Sequence, residues 1–578
     1  MAEVNIMQNK IKKNWQFITI VILAVSFFIL TGSFNYLTQK NDFVKWASPD
    51  ETANYIFTKL YATTDSLIIK EKYNLIADNI IHPRSFRAEF DELKPMSFLG
   101  IILIYGKIAH FTSIKLIPYL TPFFGGMGII FFYLLIRKLF DKKIALFSAL
   151  ILAVFPPYIY YSSRSMFHNI LFVVMLIIGF YFSVLMNGKK YTEEKLETPL
   201  NYLLRKFIFP ALAGFFIGLA IITRTSELIW LGPVLFILWA SNFKTIGFTK
   251  LLVFLSFIFL SFLPILYWNQ ILYGSIFNSG YPEMNTSIST VSSASSQLVQ
   301  NTISNVNHGK FFLDQELFNK IKNTIFYFGF DQHQSYKMFY YYFFEMFSWL
   351  FWGAVAGFII FLMKFRKINK GQLIFISCLA VLSVILLFYY GSWEFHDNPD
   401  PKQTTIGNSY TRYWLPVYLG AIPLAALLIV RLSRIFRKKL IINLARILAV
   451  SFIFFISLKA VLFQTDESLV ATIKKQQASR LEFDEVLNNT PDNSVIISRY
   501  HDKLFFPERK VILGLFNDDN MNKIYARLTS HLPVYYYNFS FNQKDLNYLN
   551  NTKLAKAGLK IREIKKVNKD FTLYKLEK

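Results

Sequence analysis

The chain has 578 residues, of which 53% are hydrophobic and only 17% charged, and its formal net charge is +25. Soluble domains carry about 25% charged residues, and here the apolar residues form blocks long enough to cross a bilayer, which excludes an ordinary soluble domain. The basic residues lie in short segments between the apolar blocks. Because this is the pattern of cytoplasmic loops, the charge does not indicate nucleic-acid binding.

The first apolar block, at about 14–37, follows a basic start and is too long for a signal peptide, so we predict an anchor with a cytoplasmic N-terminus. Residues 38–95 then lie outside. Segment 95–111 contains Lys107 and His110 and suits a helix at the membrane surface better than a span. Apolar blocks alternating with basic turns predict further crossings at 117–136, 144–160, 167–186, 208–224, 228–243, 250–270, 341–363, 371–390, 413–430 and 440–462.

These blocks predict a polytopic α-helical membrane protein of about eleven transmembrane helices, with its C-terminus outside the cytoplasm. We predict a membrane domain over residues 1–463, with outer loops at 38–95 and 271–340. Within the second loop, the polar run 285–309 is expected to move and to close over a substrate. Residues 464–578 combine a helical pattern with short β-rich runs, which predicts a small extracytoplasmic α/β domain.

Polar residues that could do chemistry collect at the predicted outer ends of the helices, and the middles of the long helices carry no acid or base. The outer set comprises Asp50, Glu51, Lys94, Arg164, His168, Arg224, Tyr281, Glu283, Arg412 and Tyr413. Each member has a structural alternative: Ser48 to Glu51 reads as a helix cap, and lysines, arginines and tyrosines commonly anchor helix ends. The combination of acids and arginines in one leaflet nevertheless indicates a reaction on an anionic lipid headgroup.

The order of short motifs resembles the membrane glycosyltransferases of the GT-C fold, specifically the group of protein O-mannosyltransferases, aminoarabinose transferases and RgtA/B/C/D-like enzymes. The motifs are an Asp-Glu pair after the first helix, a Lys-Pro before an apolar segment, Tyr-Ser-Ser-Arg entering a helix, Gly-Leu-Ala-Ile-Ile-Thr-Arg ending one, and Arg-Tyr-Trp-Leu-Pro entering a late helix. The resemblance covers about residues 15–460. Asn169 stands where related sequences carry Asp, Met96-Ser97 replaces Pro-Leu after Lys94-Pro95, and the WWDYG acceptor motif of oligosaccharyltransferases is absent.

The resemblance implies an inverting transfer of a sugar from a polyprenyl phosphate to an extracytoplasmic protein, lipid or glycan. It assigns the catalytic base to Asp50, with Glu51 beside it, and donor-phosphate binding to Arg164, Arg412, Lys94 and Arg224. Tyr413, Tyr281, Glu283 and His168 are the expected substrate contacts. The absence of the WWDYG motif argues against transfer of a whole glycan to asparagine.

The expected location is the plasma membrane, and the expected partners are the lipid-linked sugar, membrane lipids and an acceptor. Sequence spacing predicts no dedicated metal site, although the adjacent acids could contact a divalent cation. The alternative is a lipid or polysaccharide transporter that moves its substrate without breaking bonds. The clustering of charge at the outer ends favours the transferase, since ion-coupled transporters usually carry ionisable groups at mid-depth.

Overall fold

The computed structural model describes residues 2–40, 43–187, 199–281, 326, 329–363, 365–395, 397 and 403–578. Its helices are α1 (Ala2–Thr38), α2 (Pro49–Thr64), α3 (Gly100–Phe111), α4 (Ile117–Leu139), α5 (Lys142–Val154), α6 (Pro156–Ser163), α7 (His168–Met186), α8 (Pro199–Leu203), α9 (Phe209–Thr223), α10 (Leu228–Ser241), α11 (Phe243–Tyr273), α12 (Gln332–Phe339), α13 (Ser348–Leu362), α14 (Lys370–Gly391), α15 (Ser409–Tyr413), α16 (Leu415–Leu432), α17 (Lys439–Phe463), α18 (Leu469–Asn488), α19 (Asp502–Phe505), α20 (Asp519–Thr529) and α21 (Gln543–Tyr548). The strands are β1 (Ile69–Lys70), β2 (Phe86–Glu89), β3 (Glu92–Pro95), β4 (Val495–Ser498), β5 (Lys510–Leu513), β6 (Val534–Phe539), β7 (Lys560–Lys566) and β8 (Phe571–Glu577).

The described residues contain eight helices that are long and apolar enough to cross a membrane, and up to ten if each of two bent helix pairs is one span. The predicted multi-pass membrane protein is therefore confirmed. The remaining predicted crossing, 228–243, is α10, whose 14 residues are fewer than the roughly 20 that a span needs. Segment 95–111 forms α3, which has 12 residues and is too short to span, as predicted.

One of the bent pairs shows how the sequence breaks a span. Helices α5 and α6 meet at 53°, and Phe155 between them is extended, with φ −68° and ψ 123°. A residue before proline avoids the helical region, and proline has no N–H to continue the ladder. Pro156 and Pro157 therefore end the first arm and start the second.

The chain divides into two compact units. The first comprises Met1–Ser33, Tyr119–Tyr267 and Pro282–Leu469, and the second comprises Phe34–Pro118, Trp268–Tyr281 and Val470–Lys578. The first unit is built from membrane helices, among which α7 packs on α9, α13 on α16 and α10 on α14.

Glycines in small-xxx-small spacing allow two helix pairs, α9 with α11 and α13 with α16, to approach closely. A Cβ on Gly214 would overlap the carbonyl oxygen of Phe254, and one on Gly357 would overlap that of Leu424. Both glycines therefore lie where one helix backbone contacts another.

Replacing Gly357 by alanine is expected to lower the free energy of unfolding by about 1–3 kcal/mol, because the added methyl forces two helix backbones apart. Gly232→Ala is the matched control, since a Cβ there meets nothing within 4 Å. We expect it to be neutral or stabilising by about 0.5–1 kcal/mol. Thermal unfolding of both variants in detergent measures the difference; equal stability would contradict the close approach.

The second unit contains the predicted α/β domain. Its five-stranded sheet has the order β5-β4-β6-β8-β7, in which β4 pairs parallel with β5 and β6, and β8 pairs antiparallel with β6 and β7. One of these strands forms in each β-rich run of the tail, at 494–498, 510–516, 533–539, 559–567 and 571–577, and the helical run before them forms α18. The predicted fold of the tail is confirmed.

The loop after the first helix is part of the same unit and shares its core. Ala77 and Ile81 are buried in the cluster that also holds Val495, Ile512 and Tyr536 of the sheet. Between α2 and α3 the loop forms its own antiparallel sheet of order β1-β3-β2. The segment that carries Asp50 is therefore folded against the C-terminal domain, a long-range contact that the sequence does not predict.

Candidate active site

The predicted catalytic acids lie at the start of α2, in the second unit. Pro49 is the first helical residue, and Asp50 and Glu51 occupy the first turn, where carboxylates favour the positive end of the helix dipole. The backbone N–H of Ser48 donates to Glu51 Oε2 at 3.0 Å, and Glu51 is only 1% exposed. Glu51 therefore acts as a cap, and its assignment as a second catalytic acid stays a prediction.

Asp50 differs from Glu51 because its carboxylate points away from the cap. It is half-buried, and its Oδ1 accepts a hydrogen bond of 2.6 Å from the hydroxyl of Ser85. Ser85 immediately precedes β2, on the far side of the first loop in sequence. One carboxylate oxygen of Asp50 is thus held by a neutral donor, the hydroxyl of Ser85.

Two other predicted residues, Lys94 and Tyr281, also belong to the second unit. Lys94 Nζ lies 3.2 Å from Glu89 and 3.1 Å from Glu92, so its charge is already balanced by two carboxylates. Its role in binding phosphate stays a prediction, and the two neighbouring carboxylates do not favour a bound anion. The ring of Tyr281 packs 5.3 Å from that of Phe98. Glu283 and the run 285–309 lie outside the described residues.

The first unit brings the three predicted arginines into one series of contacts with aromatic rings. Arg164 lies over Phe167 at 5.2 Å, and Arg412 lies over the same ring at 4.6 Å. Arg412 also lies 5.1 Å from Tyr413, whose ring is 4.5 Å from Arg224. Two rings therefore connect three guanidinium groups through cation–π contacts. We call this set the arginine cluster: Arg164, Phe167, Arg412, Tyr413 and Arg224.

Arg224 is fixed by a buried carboxylate. Its Nε donates to Glu227 Oε1 at 2.9 Å, and its Nη2 donates to the Tyr390 hydroxyl at 3.1 Å. Tyr390 in turn donates to Glu227 at 2.7 Å, and Trp230 Nε1 donates to the other oxygen at 2.5 Å. With its charge balanced and its plane fixed, Arg224 orients Tyr413, and Tyr390 stacks on that ring at 4.5 Å.

Replacing Glu227 by alanine is expected to lower the free energy of unfolding by about 3–5 kcal/mol, because Arg224 is left buried without its counter-charge. Asp484→Ala is the control, since its pair with Arg480 is long, at 3.9 Å, and both side chains are more than a third exposed. An exposed pair contributes about 0–1 kcal/mol. Similar thermal unfolding of the two variants in detergent would argue against a buried structural pair.

The structure explains one departure from the family pattern. Asn169 follows His168, the buried first residue of α7, and its Nδ2 donates to the backbone carbonyl of Arg412 at 3.2 Å. An ionised aspartate could not make this bond, because it has no donor. Asn169 therefore supports the backbone of the arginine cluster. His168 lies beside it in sequence, and its contact with substrate stays a prediction.

A cavity of about 770 Å³ lies among the membrane helices of the first unit. Its lining is mostly apolar and includes Val173, Leu382 and Trp230, while Lys138 and Lys370 border it at other helix ends. Trp230 links the cavity to the arginine cluster, because its indole donates to the carboxylate that fixes Arg224.

Metal binding is not apparent in the described part of the chain, where no three His, Cys, Asp or Glu side chains gather as ligands. The predicted contact of Asp50 and Glu51 with a divalent cation stays a prediction.

Sequence reasoning missed several residues that shape these sites. Phe167, Tyr390 and Trp230 read as ordinary aromatic residues of membrane helices, and Ser85 lies in a loop without a motif. No local pattern marks them, because their partners are distant in sequence. Only the position of Phe167, between the predicted residues Arg164 and His168, could have indicated that it belongs to the site.

Comparison with known proteins supports the predicted resemblance. A family model of the N-terminal part of the oligosaccharyl transferase STT3 matches residues 95–320. A search of curated protein sequences finds no significant match.

Solved structures show the class of fold. The chain is similar to the oligosaccharyltransferase AglB of Archaeoglobus fulgidus in complex with an inhibitory peptide and a dolichol-phosphate, with 13% identity, a TM-score of 0.51, and coverage of 94% of this chain and 71% of that one. It is also similar to ArnT of Cupriavidus metallidurans bound to undecaprenyl phosphate, with 9% identity, a TM-score of 0.50, and coverage of 97% and 98%. The predicted GT-C fold is confirmed.

Proposed function

We propose that this protein is a membrane glycosyltransferase that transfers a sugar from a polyprenyl-phosphate donor to an extracytoplasmic acceptor, with inversion. The observation that carries the proposal is the pair of Arg164 and Arg412 in the arginine cluster, since the charge of Arg224 is balanced by Glu227. A departing polyprenyl phosphate gains negative charge, and guanidinium groups present planar forks that match phosphate oxygens. Preorganised donors of this kind are worth about 3–4 kcal/mol each when they face charge that develops in the transition state.

The apolar cavity supports a lipid-borne donor. An isoprenoid chain needs apolar space close to its phosphate group, and Trp230 connects the cavity wall to the arginine cluster through Glu227. The AglB and ArnT structures contain dolichol-phosphate and undecaprenyl phosphate, which supports the same donor class here.

Asp50 is the proposed general base, which takes the proton of the acceptor hydroxyl as that hydroxyl attacks the sugar. The acceptor is a protein, a lipid or a glycan. The chain lacks WWDYG, so we do not extend the asparagine acceptor of oligosaccharyltransferases to it.

We also propose a location and an orientation for the chain. The protein lies in the plasma membrane with a cytoplasmic N-terminus, and residues 464–578 form an extracytoplasmic domain that follows the membrane domain of residues 1–463 in sequence. The basic turns between the helices support this orientation. Placing the chemistry outside also explains a lipid-linked donor, because nucleotide sugars are not supplied there.

The test is incubation of membranes that contain the protein with a panel of radiolabelled undecaprenyl-phosphate hexoses and pentoses. We expect label from one donor to appear in an acceptor, and membranes without the protein to show none. Failure of every donor with correctly inserted protein would overturn the proposal and favour the transporter.

A further inference from the structure

The carboxylate of Asp50 depends on a short segment, Arg84 to Phe86, for its position. Ser85 donates the 2.6 Å hydrogen bond to Asp50, and its backbone has φ +65°. A non-glycine residue in this left-handed region is strained, so its surroundings must hold it there.

Arg84 holds one side of that segment to the C-terminal domain. Its backbone N–H donates to Asp502 Oδ2 at 2.8 Å, and its Nη2 donates to Oδ1 at 2.6 Å. Asp502 is fully buried, whereas about a third of Arg84 (35%) is exposed. Burial by itself would raise the pKa of Asp502, but the hydrogen bonds and charge of Arg84 outweigh it and hold that pKa below its usual value. The carboxylate therefore binds the segment in its charged form.

Phe86 holds the other side. Its ring packs 4.8 Å from Phe57 of α2, the helix that begins with the Asp50 turn, and 5.2 Å from Phe506 of the C-terminal domain. One aromatic side chain thus bridges the helix of the proposed base to the domain that binds Arg84.

The chain just before Asp50 is attached to the same domain. The carbonyl of Lys45 accepts from Gln476 Nε2 at 2.6 Å, and Lys45 Nζ donates to the carbonyl of Phe506 at 2.7 Å. Lys503, next to Asp502, donates to the carbonyl of Ala47. Both the approach to Asp50 and the segment that contacts it are therefore bound to residues 476–508.

We propose that Asp502 is a positioning residue for catalysis: through Arg84 it fixes Ser85, and through Ser85 it fixes the carboxylate of Asp50. The C-terminal domain thereby sets the geometry of the base. The inference rests on the proposed function, in which Asp50 is that base. A displacement of about 1 Å can cost a reaction roughly 10²-fold, so loss of the Asp502 contact affects turnover without touching the substrate.

The test compares full-length Asp502→Asn and Arg84→Ala with wild type in the donor assay, as initial rates over a range of donor concentrations. We expect each variant to lower kcat by about 10- to 100-fold with little change in KM for the donor. The double variant should be no slower than the slower single one, because both remove the same side-chain ion pair. Arg84→Lys should recover part of the rate, since it keeps the charge and loses the fork.

Arg527→Ala is the matched control. Its Nη2 pairs with Asp78 at 2.5 Å and so also joins the first loop to the C-terminal domain, but both side chains are about half exposed. An exposed ion pair contributes little to stability, and the hydrogen bond between Arg527 and Asp78 does not involve the segment that contacts Asp50. We expect its kcat to match wild type.

Hydrogen–deuterium exchange supplies a second readout that does not need turnover. We expect Asp502→Asn to speed exchange at residues 48–57 and 84–86 while the central strands keep their protection. Three results for Asp502→Asn would overturn the inference. They are an unchanged kcat, a loss of kcat no larger than that of Arg527→Ala, and faster hydrogen exchange throughout the sheet. If wild type transfers no sugar, the proposed function fails, and unchanged exchange at 48–57 would separately reject the positioning contact.

Discussion

Replacing Asp50 by asparagine is expected to lower the rate of sugar transfer by about 10²- to 10⁴-fold, because a positioned general base contributes a factor of that size. The asparagine keeps the volume of the side chain and can still accept the hydrogen bond from Ser85, so the helix start should remain intact. The measurement is the initial rate of label transfer in membranes that contain equal amounts of inserted protein.

Glu51→Gln is the informative comparison for Asp50→Asn. Glu51 is buried and bonded to the backbone of Ser48, and a glutamine can make the same capping bond. We expect a rate within about tenfold of wild type, since capping alters stability by about 0.5–2 kcal/mol and not the chemistry. A larger loss with Glu51→Gln than with Asp50→Asn would assign the base to Glu51 instead.

Replacing Arg412 by glutamine is expected to lower kcat by about 10²- to 10³-fold, the cost of losing one preorganised donor to developing charge. Arg412 stands at the centre of the arginine cluster, between the rings of Phe167 and Tyr413, and its Nη2 is oriented by a 2.8 Å bond to Ser409. Arg412→Lys should recover only part of the lost kcat, because an ammonium group cannot stack on an aromatic ring or form two parallel hydrogen bonds to a phosphate.

Arg434→Gln controls for the loss of a basic residue as such. Arg434 is exposed and follows the far end of α16, the helix that begins just after Arg412. Its rate should equal that of wild type. If Arg412→Gln and Arg434→Gln lowered kcat equally, a phosphate site at Arg412 would be contradicted, since the loss of one positive charge would then explain both results.

The fold could be predicted in large part because its signals are local. Apolar blocks mark the membrane helices, Pro156-Pro157 marks a break, and β-rich runs in the tail mark strands of the sheet. The helix start at Asp50 follows from four adjacent residues. The predicted crossing 228–243 begins at Leu228 as expected but ends at Ser241, and its 14 residues are fewer than the roughly 20 that a span needs.

The site could be predicted only in part, because its contacts join distant residues. The motifs selected the three arginines and Tyr413, and the cap role of Glu51 was predicted, but the motifs did not reveal the Phe167 ring between Arg164 and Arg412 or the two carboxylates that balance the charge of Lys94. The pair of Arg84 and Asp502 spans 418 positions, a separation at which one sequence carries no pairing signal. Long-range packing of the first loop on the C-terminal domain is therefore what the structure adds.

We expect the protein to break the bond between the sugar and the lipid phosphate, and a transfer assay with a doubly labelled donor tests this most directly. Purified protein in vesicles is given an undecaprenyl-phosphate sugar labelled with one isotope in the sugar and another in the lipid, together with a membrane extract as acceptor source. The proposal predicts that the two labels separate, with one polyprenyl phosphate released for each sugar transferred. Donor that stays intact and appears in the opposite leaflet would contradict it and establish a transporter.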